Sequence, residues 1–198
     1  MKLTKTSRKI FKLLLKNFST DFNINQIAKN ISMSVGGVFR ELKDLEKNQL
    51  VISKKIGNSV CYRLNLNNLE CQKICELILI EERNSAKPFV SIVSKDIEKY
   101  LDKISRIIVL FGSIIKESEP RDIDVFIITE KKFVNEVEKL CRNLSEIHEK
   151  NFSPLIMTYS DLVSNLKRRD EVLLDIVKNG IILKGYDSFV KAIMEAME

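Results

Sequence analysis

Leu110-Phe111-Gly112-Ser113, followed after a spacer by Asp122-Ile123-Asp124, is the sequence pattern that best indicates how the C-terminal half of the chain folds. Apolar runs flank it, residues 107–111 on one side and 125–128 on the other. Short runs of β-branched and aromatic residues that end in Gly or in charge are typical of buried strands. Because side chains on a strand alternate between faces, both carboxylates of Asp122-Ile123-Asp124 are predicted to point the same way.

Two like charges on one strand face repel each other, and burying them without a partner is costly. A divalent cation removes that cost, and Mg²⁺ commonly shares carboxylate ligands with substrate phosphates. Gly112 lets the backbone approach a ligand closely, and amides with the Ser113 hydroxyl at a strand-to-helix turn suit a phosphate. The motif therefore predicts a site for magnesium and a phosphate-bearing ligand. The alternative is a surface loop next to two unrelated aspartates.

The pattern of Gly-Ser, a short spacer and Asp-x-Asp resembles the signature of the DNA polymerase beta-like nucleotidyltransferases, above all their minimal members. The resemblance implies transfer of a nucleoside monophosphate from a nucleoside triphosphate to a hydroxyl. It also implies that Asp122 and Asp124 are the catalytic, metal-binding carboxylates and that Gly112 and Ser113 bind the phosphates. Lys116 would add the positive charge that a Lys or Arg often supplies nearby in this family.

The sequence departs from that family in two ways. The spacer, residues 114–121, is shorter than usual, and the strand predicted at 153–158 lacks the family's third acid. Asp161 lies just beyond that strand, where it is predicted to cap the next helix. These departures favour nucleotide binding without turnover, while an active nucleotidyltransferase acting on a protein or a small molecule remains the alternative.

Composition limits the class of protein. A chain of 198 residues has room for one large or two small domains, and 44% apolar with 30% charged residues is ordinary for a globular protein. No apolar run approaches the ~20 residues of a membrane span, so we expect a cytoplasmic protein with no membrane partner. Four cysteines without a Cys-x-x-Cys pair, and the single His148, argue against structural zinc. His148 is predicted to be a surface residue without a partner.

The N-terminal third has a different pattern. Helical spacing of apolar residues predicts helices over residues 4–18 and 23–31, and a third helix that follows the Ser32-Met33-Ser34 turn and ends near Asn48. Two strands, 50–55 and 60–64, are predicted on either side of the turn residues Gly57, Asn58 and Ser59.

This order of elements in residues 1–66 resembles the winged helix-turn-helix domains of bacterial and archaeal regulators. This segment carries 13 basic and 4 acidic residues, a net charge of +9, whereas the remainder of the chain carries −3. The difference suggests that the N-terminal segment contacts a polyanion. The resemblance implies that the third helix enters the major groove of double-stranded DNA and that the hairpin contacts phosphates. The implied DNA-binding residues are Ser34, Val35, Gly37, Phe39, Arg40, Lys43, Lys54, Lys55, Asn58 and Ser59. The alternative is a winged helix used for protein contacts.

The predicted organisation is α+β with two domains. A winged helix at 1–66 is joined by a linker helix at 67–87 to a nucleotidyltransferase-like α/β domain at 88–198, with a small mixed sheet flanked by helices. The apolar face of the linker helix, which carries Cys71, Ile74, Cys75 and Ile78, is predicted to form part of a homodimer interface. The leading hypothesis is a DNA-binding transcriptional regulator that binds Mg²⁺-nucleotide. An antitoxin-like partner of a small helical toxin is a further alternative.

Overall fold

The computed structural model describes residues 3–117 and 120–198. Helices and two small sheets form a mixed α+β structure, which confirms the predicted class. The chain separates into two compact units, and the division falls between Ile78 and Leu79, inside a helix. None of the helices among the described residues combines the length and the hydropathy needed to cross a membrane.

The first unit contains three helices and a three-stranded antiparallel sheet. Its core takes Ile10, Phe11, Ile27, Val38 and Leu42, which recur at helical spacing in the sequence and are almost completely buried. The sheet has the order β1-β3-β2. The elements are α1 (Lys5–Lys16), β1 (Phe22–Asn23), α2 (Ile24–Ile31), α3 (Val35–Lys47), β2 (Val51–Ile56) and β3 (Ser59–Leu64).

Local signals set the boundaries of these elements. Asn23 and Gln26 form a capping box at the start of α2, in which each side chain accepts from the other residue's backbone N–H. Ser32 ends α2 in the left-handed conformation, and the Ser34 hydroxyl accepts from the Gly37 N–H at the start of α3. Gly57, with φ of +57°, makes the tight connection between β2 and β3.

α4 (Leu69–Asn84) carries the apolar face that was predicted to lie in a dimer interface. Cys71 and Cys75 are fully buried, and Ile74 and Ile78 are nearly so, within the single chain. This face is therefore not available to a second subunit, because the fold of one chain already covers it.

The second unit is built on a four-stranded sheet of order β6-β5-β4-β7, in which β5 and β6 are parallel and β4 is antiparallel to both of its neighbours. The elements are α5 (Pro88–Leu101), β4 (Ser105–Phe111), α6 (Ser113–Lys116), β5 (Asp122–Thr129), α7 (Val134–His148), β6 (Asn151–Met157), α8 (Tyr159–Lys167), α9 (Glu171–Asn179), β7 (Ile181–Lys184) and α10 (Tyr186–Met197). A short 3-10 turn, Lys131–Phe133, precedes α7.

The two faces of this sheet have different roles. Ile108, Leu110, Val125 and Ile127 belong to one buried cluster with the apolar sides of α5 and α7. The alternate residues of β4 and β5 lie on the opposite face, where α8 and α9 contact β5 and β4. Asp122 and Asp124 are on this second face, at the end of the sheet where β5 begins.

Two details differ from the sequence-based expectation. His148 is not a surface residue: its side chain is 11% exposed, its ring packs on Phe152, and Nε2 lies 3.1 Å from Asp96 Oδ2 without hydrogen-bonding geometry. Asp161 is not the N-cap of α8. Thr158 caps that helix, and Asp161 is the third helical residue, whose carboxylate accepts from the Thr158 N–H in a capping box.

Candidate functional site

Asp124 and Gly112 are brought together by strand pairing. The antiparallel register of β4 and β5 sets Phe111 opposite Asp124, and Gly112 follows with φ of +74°. A Cβ placed on Gly112 would stand 2.0 Å from Asp124 Oδ2, so the carboxylate occupies the space that any side chain would need. Glycine is thus required here both by the backbone conformation and by the close approach of the carboxylate.

Asp122 is held by its neighbours on β6 and at the glycine turn. Asn151 Nδ2 donates to Asp122 Oδ1 at 3.1 Å and lies 3.1 Å from Ser153 Oγ, to which it also donates. Ser113 Oγ donates a long hydrogen bond, 3.4 Å, to the backbone carbonyl of Asp122. The structure therefore brings Gly112, Ser113, Asp122 and Asp124 to one place, as the motif predicts.

The carboxylate pair is electrostatically strained. Burial raises the pKa of Asp124, and the neighbouring Asp122 carboxylate raises it further. Both effects disfavour the charged form of Asp124, and a cation bound between the two carboxylates would reverse them.

The register of β6 explains what replaces the third acid. The parallel pairing sets Asn151 beside Asp122 and Ser153 beside Asp124, so an amide and a hydroxyl flank the carboxylates. Asn151 was missed because the predicted strand began at residue 153, two positions too late, whereas Ser153 was included in that strand but was assigned no role. The signal was available, since Asn151 and Ser153 repeat the alternate spacing of Asp122 and Asp124.

The donor set fits a magnesium ion shared with a ligand better than a structural metal. Among the described residues no group of three or more His, Cys, Asp or Glu side chains is placed to hold a metal ion. Mg²⁺ is typically held by one or two carboxylates with substrate phosphates and waters in its remaining positions. Asp122 and Asp124 supply the two carboxylates, and the remaining ligands would have to come from the bound molecule.

Two lysines that were not predicted hold the ends of the spacer. Lys87 Nζ donates to the backbone carbonyls of Lys116 and Glu117, at 2.7 Å and 3.4 Å. Lys150 Nζ donates to the Pro120 carbonyl at 2.8 Å. The middle of the spacer, residues 118–119, lies outside the described residues. Lys116 is exposed at the end of α6, and its role as a phosphate ligand stays a prediction.

The predicted DNA-binding residues lie on α3 and on the β2–β3 hairpin of the first unit. The Ser53 hydroxyl donates to the Glu46 carboxylate and connects the two elements. Lys43 is ion-paired with Glu46 at 3.1 Å, and Ser34 is occupied as the cap of α3. Most of the others are exposed, namely Val35, Phe39, Arg40, Lys54, Lys55, Asn58 and Ser59, while Gly37 is half-buried.

Comparison with known proteins agrees with the geometry of the second unit. The family model described as polymerase beta, nucleotidyltransferase, matches residues 95–189. That stretch runs from within α5 into α10 and includes Gly112, Ser113, Asp122 and Asp124. It is therefore a nucleotidyltransferase domain of the polymerase beta type. No curated protein and no solved structure matches the chain significantly.

Proposed function

We propose that the nucleotidyltransferase domain binds a nucleoside triphosphate together with Mg²⁺ through Asp122 and Asp124. The observation that carries this proposal is the contact of the Asp124 carboxylate with Gly112, with Asp122 on the same strand face. Burial and the Asp122 carboxylate both disfavour the charge on Asp124. The two carboxylates lie beside Gly112, which has no side chain. A phosphate-bound cation is the partner that relieves such a pair.

Each residue of the site has a role in this binding. Gly112 permits a close approach of the triphosphate to the backbone, and the Ser113 hydroxyl is a donor for a phosphate oxygen. Asn151 fixes the side chain of Asp122 by its hydrogen bond to Oδ1. The ion supplies neutralisation of the phosphate charge when it is bound.

The residues of β6 favour nucleotide binding without turnover. Catalysis of this type needs a base near the acceptor hydroxyl. Asn151 and Ser153, which flank Asp122 and Asp124, are neutral and cannot take up a proton in the manner of a carboxylate. The acceptor or a partner protein would have to bring a base for transfer to occur.

Thermal unfolding of the full chain tests the binding. Mg²⁺ with a nucleoside triphosphate at 100 times the dissociation constant should stabilise the protein by about 2.7 kcal/mol. At ~2–4 °C per kcal/mol this corresponds to a shift of several degrees in Tm. The double variant Asp122→Asn with Asp124→Asn should lose the shift, while Glu138→Gln, an exposed change on α7, should keep it. An unchanged Tm in the wild type would refute the binding site.

Label transfer separates binding from chemistry. The protein would be mixed with α-labelled triphosphates and with DNA, with neighbouring gene products and with small hydroxyl acceptors. We expect no transfer of label. Transfer that Asp124→Asn eliminates would show an active nucleotidyltransferase and overturn the proposal of binding without turnover.

For the first unit we propose a winged helix-turn-helix domain that binds double-stranded DNA and makes the protein a transcriptional regulator. The order α1-α2-α3 followed by the β2–β3 hairpin, the short turn between α2 and α3, and the net charge of +9 support this. A homodimer is proposed because two-fold DNA sites are read by two-fold proteins. Its interface has to lie outside the buried face of α4.

A protein partner is the second candidate for the first unit. Val35 and Phe39 on α3, with Ile52, Ile56 and Val60 on the hairpin, are apolar side chains exposed by 41% to 50%. Several exposed apolar residues on elements expected to face DNA favour contact with a partner protein. One such partner would be a small helical toxin, which this protein would neutralise in the role of an antitoxin. Salt-sensitive DNA binding distinguishes the two candidates, because an apolar protein contact does not respond in this way.

A further inference from the structure

The second unit contains a cavity of about 630 Å³ at the end of the sheet opposite to the carboxylate pair. It lies where β5 and β6 end and β4 begins, between Thr129, Thr158 and Ser105. Asp124 and Thr129 are five residues apart on β5, which corresponds to roughly 17 Å along a strand. The cavity is therefore separate from the site of Asp122 and Asp124.

The lining of the cavity carries more positive than negative charge. Lys103, Arg106 and Lys131 contribute to it, whereas Glu130 is the single acid in the lining. Glu130 is ion-paired with Lys132 at 2.8 Å, so its charge is compensated on the surface. The balance favours an anionic ligand.

The N-terminus of α8 opens into the same cavity. Thr158, Tyr159 and Ser160, the cap and first two residues of this helix, line its wall. The first backbone N–H groups of a helix have no acceptor within the helix, and together with the helix dipole they favour a phosphate. The capping box of Thr158 and Asp161 occupies only the N–H groups of those two residues.

Ser105 provides an independent indication of a ligand. It lines the cavity, is 6% exposed, and its buried Oγ has no hydrogen-bond partner in the part of the chain that the structure describes. A buried hydroxyl without a partner costs free energy, and each such group in a folded protein needs an explanation. An oxygen-rich ligand would supply the missing partner.

Two contacts fix the side chain of Arg106, the residue that follows Ser105 in β4. Its guanidinium stacks on the ring of Tyr159, 3.6 Å from the ring centroid, and Nε donates to Ser188 Oγ at 3.2 Å. Arginine carries five N–H donors, so a single hydrogen bond to Ser188 leaves donors for a ligand. A planar guanidinium fixed in this way is suited to bind two phosphate oxygens at once.

We propose that this cavity binds a small phosphate monoester, with the phosphate at Arg106, Lys131 and the N-terminus of α8. The volume lies in the range of ordinary small-molecule sites. The rest of the cavity lining contacts the remainder of the ligand, and the whole ligand is the size of a nucleoside monophosphate or a sugar phosphate. The site needs no divalent cation and does not depend on Asp122 or Asp124.

Calorimetric titration of the full chain in the presence of a chelator tests this site. The probes are AMP, ribose 5-phosphate and inorganic phosphate, with adenosine as the uncharged control. We expect at least one phosphate probe to bind and adenosine to fail. Arg106→Gln and Lys131→Gln should each weaken binding at least tenfold, whereas Lys139→Gln, which removes the same charge from exposed α7, should leave it unchanged.

Two further variants separate a ligand site from a structural role. Ser105→Ala should weaken binding without lowering the Tm of the free protein, since it removes a hydroxyl that has no partner. Asp122→Asn should bind the phosphate probe as the wild type does, although it loses the Mg²⁺-nucleotide site.

The outcomes decide the proposal. Binding of none of the three phosphates, binding that survives Lys131→Gln unchanged, or binding that Asp122→Asn removes would each overturn it. AMP that binds more tightly than ribose 5-phosphate identifies a nucleotide as the ligand. Equal affinity for all three probes would show that the cavity recognises the phosphate group alone, and it would overturn the assignment of a monoester.

Discussion

Asp124 lies so close to Gly112 that its Oδ2 atom would be 2.0 Å from a Cβ at that position. The β4–β5 register creates this proximity, because it sets the residue before Gly112 directly opposite Asp124. Gly112 therefore meets two requirements at one position: the positive φ of the turn into α6 and the space that the Asp124 carboxylate occupies.

Gly112→Ala should damage both stability and binding. The φ of +74° costs a side chain of order 1 kcal/mol or more, and the added methyl group displaces the Asp124 carboxylate. We expect a lower midpoint in urea unfolding and no shift of Tm by Mg²⁺ and nucleoside triphosphate. Gly36→Ala is the control: its Cβ meets nothing within 4 Å, and alanine should stabilise α3 by about 0.5–1 kcal/mol. Normal nucleotide binding by Gly112→Ala would contradict the close-approach argument.

Asp124→Asn should stabilise the free protein more at neutral than at acidic pH. The pKa of Asp124 is raised in the folded state, so the folded protein binds this proton more tightly than the unfolded chain does. Stability contributed by this group is therefore present at low pH and falls as pH rises through the two pKa values. Asparagine removes the unfavourable charge, and its advantage should grow across that range.

The measurement is urea unfolding of wild type and Asp124→Asn at a series of pH values. Repeating the series with Mg²⁺ is the control, because a cation between the carboxylates should reduce the difference between the two proteins. A difference that does not change with pH would mean that neither burial nor Asp122 disfavours the charge on Asp124.

Ser153→Asp should strengthen the metal site. Ser153 is paired with Asp124 on the parallel neighbour strand, so a carboxylate there would lie beside the two that exist. Without a cation the third negative charge should lower Tm, and with Mg²⁺ and nucleotide the variant should gain a larger shift than the wild type. Appearance of label transfer in this variant would show that the missing acid was what prevented turnover. Ser91→Asp, on the exposed side of α5, adds the same charge away from the site and should do neither.

The central part of the second unit could be predicted from sequence because its signals are local. The β-branched runs on either side of Gly112 and the alternate spacing of Asp122 and Asp124 depend only on strand geometry. The start of β6 was predicted two residues too late because Asn151 is polar, and only pairing with β5 makes it part of a strand. β1 is two residues long and forms only through its pairing with β3, so the periodicity of the sequence does not predict it.

Burial through tertiary contacts was the other source of error. His148 was predicted at the surface because no partner could be identified from the sequence, yet Asp96 and Phe152 lie against it from other elements. The apolar face of α4 was predicted to lie in a dimer interface, because the sequence could not show that this face is buried within a single chain. Asp161 was predicted to be the N-cap of α8. Thr158, three residues earlier and equally suited to that role, is the N-cap instead.

DNA binding by the first unit should be steeply dependent on salt. Neutralising about six phosphates gives a slope near −5 in a plot of log affinity against log salt concentration. Arg40 is exposed on α3, and a long planar side chain there is the best candidate for reading a base edge. Arg40→Ala should therefore lower the preference for the cognate sequence by about 1–3 kcal/mol.

Lys54→Ala, on the exposed hairpin, should instead weaken the binding of all sequences alike and reduce the salt slope by about one. Lys139→Ala in the second unit removes the same charge and should change neither quantity. The measurement is fluorescence anisotropy with a labelled duplex selected from random sequence, titrated at several salt concentrations. If the wild type shows no salt-sensitive binding at ~50 mM salt, where phosphate contacts are strong, the regulator proposal fails. The exposed apolar residues Val35 and Phe39 would then identify α3 as a surface for a protein partner.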